Sequence, residues 1–164
     1  MPETEFNGRS LLTVDSKGRL FLPQTYRDIL GEKFVLSLSE DLKTLAFYRS
    51  ETWQSKSEKL RRIPETDRKA HKLLRMVFSS TYPSLSADAQ GRVLIPQAMR
   101  QDFALTEGTE VALGGAGSTL EIWNAEALRQ DYSRITDEEA DDMLDHVYSK
   151  YYLSENGRTQ NEQQ

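Results

Sequence analysis

The chain has no cysteine among its 164 residues, and it has only two histidines and two tryptophans. Without cysteine there are no disulfides and no thiolate metal ligands. His71 and His146 fall in separate predicted helices without an obvious partner, so we expect no metal site. No apolar run approaches the roughly 18 residues of a membrane-spanning helix, and the polar, acidic N-terminus does not resemble a signal peptide. These absences favour a cytoplasmic protein that does not enter a membrane.

Signatures of nucleotide-binding and hydrolytic enzymes are also missing. The sequence has neither a P-loop nor the Gly-x-Ser-x-Gly nucleophile elbow. A Gly-Gly-Ala-Gly stretch at 114–117 lies between two predicted strands and not before a helix, which indicates a hairpin turn. We interpret the carboxylates clustered at 137–145 as the solvated face of a helix. We therefore expect no catalytic residues, no cofactor and no enzymatic activity.

A doubled motif is the strongest positive feature. Residues 12–28 align with residues 85–101 at a shift of 73, and seven of the 17 positions are identical. The identical pairs are Leu12/Leu85, Asp15/Asp88, Gly18/Gly91, Arg19/Arg92, Pro23/Pro96, Gln24/Gln97 and Arg27/Arg100. A second match, at a shift of 75, aligns residues 45–53 with 120–128. Because solenoids need about three repeats, two copies predict a pseudo-dimer folded from one chain.

Each repeat predicts a β-β-α-β-β unit. An apolar stretch leads to Asp-x-x-Gly-Arg, where Asp and Gly favour a tight turn before a short apolar strand. Pro23 and Pro96 then suit the first position of a short helix, and Gly31 can cap the first of these helices. Two further strands complete each unit. We therefore expect a mixed α+β, strand-rich fold that is internally duplicated.

Helices are predicted between and after the repeats. Ser50 and Pro64 are candidate starts of two connector helices. Thr136 and Glu139 form a capping box ahead of an apolar stripe at helical spacing over residues 140–151. The predicted boundaries are 6–53 for the first unit, 54–80 for a helical connector, 81–126 for the second unit, 127–152 for C-terminal helices and 153–164 for a disordered tail.

The net charge of −5 is unevenly distributed. Residues 1–75 contain 15 Lys and Arg against 11 Asp and Glu, a net charge of +4. Residues 76–164 contain 6 against 15, a net charge of −9. The split indicates either one basic face on an otherwise acidic protein or simply a mixed surface.

The two Asp-x-x-Gly-Arg loops admit a structural and a functional interpretation. In the structural one, Asp15 and Gly18 shape the turn, and Arg19 pairs with Asp15 or with Asp88 of the other repeat. In the functional one, Lys17 and Arg19 contact DNA phosphates or groove edges, for which a guanidinium group offers a bidentate fork.

The doubled pattern also resembles a known family. Asp-x-Lys-Gly-Arg, three apolar residues and Pro-x-x-Tyr-Arg, with the second copy and the lead Phe-Asn-Gly at 6–8, is similar to the MraZ family of bacterial regulators. Each half resembles an AbrB-type swapped-hairpin unit, and the resemblance covers roughly residues 6–152. It implies an AbrB-like pseudo-dimeric barrel that binds double-stranded DNA at repeated short boxes near the promoter of a division and cell-wall gene cluster. It also implies a ring-like homo-oligomer larger than a dimer, located on the nucleoid.

The resemblance implies roles for individual residues. The implied DNA-binding residues are Arg9, Lys17, Arg19, Gln90 and Arg92, and the implied structural motif is Asp15, Gly18, Asp88 and Gly91. The second loop has Gln90 in place of Lys17, and Tyr82 in place of Arg9, so we expect the first loop to dominate DNA contact. The alternative function is an oligomeric protein-interaction scaffold that has an AbrB-like fold without binding DNA, which the overall acidity favours.

Overall fold

The structure is a computed structural model that describes residues 4–133 and 135–152. The chain divides into two compact units, with the boundary between Glu126 and Ala127. The elements are β1 (Arg9–Thr13), β2 (Arg19–Phe21), α1 (Gln24–Leu30), β3 (Phe34–Leu38), β4 (Leu45–Arg49), α2 (Ser50–Arg61), α3 (Arg68–Ser79), β5 (Tyr82–Leu85), β6 (Arg92–Leu94), α4 (Gln97–Asp102), β7 (Glu110–Gly115), β8 (Thr119–Asn124), α5 (Ala125–Ser133), α6 (Asp137–Val147) and a π-helical turn (Tyr148–Tyr152).

Six strands form one antiparallel sheet in the order β1-β7-β8-β4-β3-β5. Reversing this order exchanges equivalent strands of the two repeats, so a pseudo-twofold axis passes between β4 and β8. The first strand of each repeat pairs with the third strand of the other, β1 with β7 and β5 with β3. Ala46 in β4 lies opposite Glu121 in β8, its equivalent at a shift of 75. The repeats are therefore interleaved, as in a swapped hairpin.

The second strands of the repeats, β2 and β6, form a separate two-stranded antiparallel ribbon. Leu20 lies opposite its equivalent Val93, and both side chains are buried. The predicted fold class, mixed α+β and strand-rich with duplicated β-β-α-β-β units, is confirmed. The sheet is not a closed barrel, however, because β1 and β5 remain at the two edges of the six-stranded sheet.

One hydrophobic core serves both repeats. Equivalent positions such as Leu20 and Val93, or Leu22 and Ile95, belong to the same buried cluster. The buried strands and the inner faces of the helices contribute most of the rest, with every residue of Phe34–Leu38 enclosed. Because residues from both repeats fill one cluster, removing either repeat would expose apolar surface worth about 25 cal/mol per Å².

The short helices follow the two prolines closely. Pro23 and Pro96 occupy the N-cap positions of α1 and α4, not the first helical positions that the sequence predicted. Each helix therefore begins one residue later than predicted. The proline φ angles of −53° and −54° already suit a helix start. Gly31 ends α1 with a φ of +83°, and its N–H donates to the Arg27 carbonyl at 2.9 Å, as a C-terminal cap does.

The starts of the two connector helices agree with the prediction only in part. α2 begins at Ser50, but the Ser50 hydroxyl donates to the Lys33 carbonyl at 3.0 Å and does not cap the helix. α3 begins four residues after Pro64, not at Pro64. The Asp67 carboxylate accepts from the Ala70 N–H at 2.9 Å, and this cap fixes the start of α3.

The C-terminal unit contains α6, which begins with the predicted capping box. Thr136 Oγ1 accepts from the Glu139 N–H at 3.1 Å, and the Glu139 carboxylate accepts from the Thr136 N–H at 3.2 Å. The apolar stripe of α6 is exposed, and the predicted tail at 153–164 lies outside the described residues. Nowhere in 4–133 or 135–152 is a helix long and apolar enough to cross a membrane.

Candidate nucleic-acid interface

The first loop is organised by the Asp15 carboxylate. Its Oδ1 accepts from the backbone N–H groups of Lys17 and Arg19, both at 2.9 Å, and its Oδ2 accepts from Arg19 Nε at 2.8 Å. The Gly18 N–H donates to the Asp15 carbonyl at 3.1 Å, and Gly18 has a φ of +80°, which glycine adopts without steric cost. One carboxylate therefore fixes both the turn and the direction of the arginine.

The second loop has the same geometry. Asp88 Oδ1 accepts from the N–H groups of Gln90 and Arg92, both at 2.9 Å, and Asp88 Oδ2 accepts from Arg92 Nε at 3.1 Å. Gly91 has a φ of +82° and donates to the Asp88 carbonyl at 2.9 Å. The repeats thus build equal loops although Gln90 replaces a lysine.

These hydrogen bonds lower the pKa of both loop aspartates below the ordinary value of 3.8. The largest cause is the backbone N–H of Arg19 for Asp15 and that of Arg92 for Asp88, while desolvation acts in the opposite direction. Both carboxylates are therefore ionised at neutral pH, and each offsets the charge of the arginine in its own loop.

The two loops are joined by backbone hydrogen bonds across the pseudo-twofold axis. The Leu22 N–H donates to the Gly91 carbonyl at 2.8 Å, and the Ile95 N–H donates to the Gly18 carbonyl at 3.1 Å. Each loop glycine thus accepts from the strand end of the other repeat. The interleaving of the repeats places the two loops side by side.

Arg19 also bridges the loops through its side chain. Besides its bond to Asp15, its Nη1 lies 3.8 Å from Asp88 Oδ2. Both pairings that the sequence suggested for Arg19 are therefore present. The Arg19 side chain is 22% exposed and that of Arg92 is 33% exposed, so Arg19 is the more enclosed of the two.

Two further arginines, which the sequence reasoning did not select, complete the junction. Arg27 in α1 and Arg100 in α4 each donate from Nε to the carbonyl five residues earlier in the chain, at 2.8 Å. Their guanidinium groups lie against the glycine of the opposite loop. A Cβ on Gly91 would lie 2.9 Å from Arg27 Cζ, and a Cβ on Gly18 would overlap the Arg100 guanidinium. The sequence could have indicated both arginines, because Arg27 and Arg100 are an identical pair in the repeat alignment.

The ribbon has one outward face. Arg19 and Phe21 share the outer face of β2, and Arg92 and Leu94 share that of β6, because alternate residues of a strand lie on one face. Arg19 lies opposite Leu94, and Phe21 lies opposite Arg92. The two arginines are therefore diagonal neighbours, with Cα atoms roughly 7–8 Å apart. Phe21 and Leu94 are 46% and 54% exposed, and the sequence reasoning did not select them either.

Two arginines and two exposed apolar side chains on one ribbon face can make polar and apolar contacts with a binding partner. A two-stranded β-ribbon fits the major groove, where arginine reaches guanine or phosphate and apolar side chains contact thymine methyl groups. Lys17 and Gln90 are exposed in the flanking loops. Across the part of the chain that the structure describes, no cluster of His, Asp and Glu side chains could hold a metal ion.

Arg9 is not part of this cluster. It is the first residue of β1 and lies opposite Gly114, close to the β7–β8 turn, whereas Asp15 follows the other end of β1. Six residues of extended chain, about 20 Å, separate Arg9 from Asp15. The structure therefore brings together Lys17, Arg19, Gln90 and Arg92, and it places Arg9 at the opposite end of the sheet.

The positive charge of the first half is concentrated away from the loops. Residues 1–53 contain 7 Lys and Arg against 8 Asp and Glu, a net charge of −1. Residues 54–75 contain 8 against 3, a net charge of +5, and they span most of α2 and α3. The excess of positive charge in the first half therefore comes from the α2–α3 hairpin. It does not support the ribbon as the basic face of the protein.

Comparison with known proteins places the chain in a family. A family model described as "MraZ protein, putative antitoxin-like" matches residues 6–76 and 78–147, one repeat in each match. A protein named Transcriptional regulator MraZ from Desulfitobacterium hafniense (strain Y51) is 38% identical over 129 residues, which cover 79% of this chain and 87% of that protein. One of the same name from Caldanaerobacter subterraneus subsp. tengcongensis is 33% identical over 135 residues, covering 82% and 91%. With both repeats matched and most of the length shared, the chain belongs to the MraZ family.

Proposed function

We propose that this protein is a DNA-binding transcriptional regulator that places its β2–β6 ribbon in the major groove. The observation that carries the proposal is the outer face of the ribbon, where Arg19 and Arg92 lie beside the exposed side chains of Phe21 and Leu94. Relatives that share most of the chain are named transcriptional regulators, which supports the same function.

Each residue of the cluster has a proposed role. Arg19 and Arg92 contact base edges or phosphates with the guanidinium nitrogens that their aspartates leave available. Lys17 and Gln90 contact the flanking phosphates, and the lysine adds a charge that the second loop lacks. Arg9 is a candidate for a separate phosphate contact, at the other end of the sheet.

The proposal extends to the target and the assembly. The family resemblance implies repeated short boxes at the promoter of a division and cell-wall gene cluster, in the cytoplasm and on the nucleoid. A ring-like homo-oligomer larger than a dimer would present one ribbon per subunit. Ribbons on adjacent boxes would then gain affinity through effective concentration, since a second contact by a tethered module is intramolecular.

The test of specificity compares two duplexes of equal length by fluorescence anisotropy. One comes from upstream of the protein's own gene, and the other is its scrambled sequence. We expect tighter binding to the promoter duplex, and we expect affinity to fall as salt rises, because neutralised phosphates release counterions. Equal binding to both duplexes, without salt dependence, would favour the second candidate function, a protein-interaction scaffold.

The scaffold has one specific observation in its favour. Asp15 and Asp88 are ionised and already bonded to the ribbon arginines, so the four charges sum to zero. Lys17→Gln separates the two functions, because it copies the second loop and touches neither pair. A DNA-binding ribbon should lose affinity for both duplexes alike, with the salt slope reduced by roughly 1. Lys43→Gln is the matched control and should leave both quantities unchanged, because the β3–β4 turn lies at the end of the sheet away from the loops.

The two arginines test whether the loops are unequal. Arg19→Ala should weaken promoter binding by about 1–3 kcal/mol, and Arg92→Ala should weaken it less, because Lys17 strengthens the first loop. Arg19→Ala should also lower the melting temperature more, since Arg19 bridges both loops. Melting and affinity are measured on the same samples. A folded Arg19→Ala protein that binds like the wild type would contradict the proposed contact.

A further inference from the structure

The connector between the repeats contains an apolar groove of about 350 Å³ between α2 and α3. Leu60, Ile63, Leu74 and Phe78 supply its apolar wall. Phe78 is 39% exposed, and Leu73 and Met76 on α3 are 37% and 44% exposed. None of these side chains takes part in the ribbon, so the groove is a second surface with chemistry of its own.

Cations surround this groove. Arg61 and Arg75 line it directly, together with one carboxylate, Glu65. Arg68 and Lys72 fall on the same side of α3, at i, i+4 and i+7 with Arg75. Seven exposed cations of the hairpin form no ion pair with any residue in the described part of the chain: Lys59, Arg61, Arg62, Arg68, Lys69, Lys72 and Arg75. A surface that is apolar at its centre and cationic at its rim fits an acidic amphipathic helix.

The same chain contains such a helix. On α6 and the turn after it, Met143, Leu144, Val147 and Tyr148 form a stripe whose members are 41–56% exposed. Residues 137–147 contain six Asp and Glu and no Lys or Arg, and Asp141 and Asp145 follow one edge of the stripe by helical spacing. Residues 135–152 have a net charge of −5, against +5 for residues 54–75.

We infer that α6 of one copy docks in the α2–α3 groove of a second copy. Its apolar stripe covers the groove, and its carboxylates face Arg61, Arg75 and the neighbouring cations. DNA would satisfy the cations but would leave the apolar wall exposed, whereas α6 satisfies both. Each copy has one groove and one α6, so reciprocal docking closes a dimer, whereas head-to-tail docking closes a larger ring or extends into a filament. This inference rests on the oligomer part of the proposed function and is independent of its DNA part.

The absence of cysteine makes a cross-linking test specific. His71→Cys places a thiol in the groove, and Leu144→Cys places one in the apolar stripe. The two full-length variants, one of them with an affinity tag, are mixed without DNA and treated with a short bismaleimide. We expect a cross-linked pair at least tenfold more abundant than with Lys43→Cys in place of His71→Cys. No excess over that control would overturn the inference.

The occupant is identified by two further arms. A chain with both His71→Cys and Leu144→Cys reports linkage within one chain. If that product forms and the mixed pair does not, α6 covers its own groove and the inference fails.

Charge reversal is the second experiment. Arg61→Glu with Arg75→Glu should reduce cross-linking about tenfold, as should Asp141→Arg with Asp145→Arg, and mixing these two proteins should restore it. If charge reversal of Arg61 and Arg75 lowers the affinity for DNA but changes neither cross-linking nor the mass of the assembly, the cations contact DNA instead.

Failure of this inference and failure of the proposed function give different results. Light scattering that still reports an assembly larger than a dimer, together with promoter binding, would leave the proposed function intact while the absence of cross-links removes the docking contact. Conversely, cross-links without any promoter preference would support the contact and contradict DNA binding.

Discussion

At the residue scale, the loop aspartates and arginines serve folding and the proposed contact together. The Asp15 carboxylate accepts hydrogen bonds from Nε of Arg19 and from the backbone N–H groups of the turn. These bonds fix the direction of the arginine side chain. A fixed guanidinium loses less rotamer entropy on binding DNA than a mobile one. The structural interpretation of the motif is therefore a condition for the functional one and does not compete with it.

The loop glycines give a prediction with a matched control. Gly18→Ala must adopt a φ of +80°, which costs about 1–2 kcal/mol, and its Cβ must also displace Arg100. Gly108→Ala also meets a positive φ, +78°, but has open space around its Cβ. We expect Gly18→Ala to lose about 1–3 kcal/mol more stability than Gly108→Ala, measured by urea unfolding. Equal losses would mean that Arg100 moves aside freely and does not lock the loop.

The lowered pKa values of the loop aspartates predict acid sensitivity. A carboxyl group with a lowered pKa in the folded state contributes stability that is fully present above the unfolded pKa, near 3.8, and is lost as the pH falls through the folded pKa. The chain with Asp15→Asn and Asp88→Asn should be less stable than wild type at pH 7 and should lose less stability below pH 4. Urea midpoints measured between pH 7 and pH 2.5 check this. Parallel pH curves for the two proteins would show that the aspartates contribute nothing to acid sensitivity.

At the element scale, the strands and the short helices could be predicted from the repeat itself. Asp and Gly mark turns and Pro marks helix starts through local backbone chemistry, so both copies gave the same β-β-α-β-β order that the structure has. The start of α2 at Ser50 was correct, but the predicted start of α3 at Pro64 was wrong, because a cap depends on which side chain reaches a free N–H, and Asp67 does so for α3. The ribbon face could not be predicted, since it depends on pairing β2 with β6 across 73 residues of sequence.

The exposed apolar pair on the ribbon gives an element-level prediction. Phe21→Ala and Leu94→Ala remove side chains that are about half exposed, so each should change stability by no more than about 0.5 kcal/mol. If the ribbon enters the major groove, each should weaken promoter binding several-fold by removing contacts to base edges. Leu42→Ala, at an exposed leucine in the β3–β4 turn, is the control for a truncated surface side chain. Full promoter affinity in the Phe21 and Leu94 variants would place the ribbon outside the groove.

At the scale of the whole molecule, charge and topology separate the two proposed surfaces. The ribbon lies on the pseudo-twofold axis and is nearly neutral once Asp15 and Asp88 are counted, so its proposed contribution to DNA binding is shape and directed hydrogen bonding. The α2–α3 hairpin is strongly cationic, whereas the equivalent part of the second repeat, α5 and α6, is acidic. The C-terminal unit is acidic and therefore complements the charge of the α2–α3 hairpin. This complementarity gives a physical basis for assembly that leaves the ribbon unoccupied.

The interleaved topology predicts that neither half of the chain folds alone as a monomer. Cutting between residues 80 and 81 leaves β1 without β7 and β3 without β5, and it divides the single core. Produced separately, each half should be unfolded or paired with a second copy of itself. Produced together, the halves should copurify with the circular dichroism of the intact chain, and their melting temperature should rise with concentration because association has become bimolecular. The intact chain avoids that dependence, since its connector holds the repeats at an effective concentration on the order of millimolar. A monomeric half spanning residues 1–80 that unfolds cooperatively would contradict this, because a self-sufficient repeat needs neither the partner strands nor the shared core.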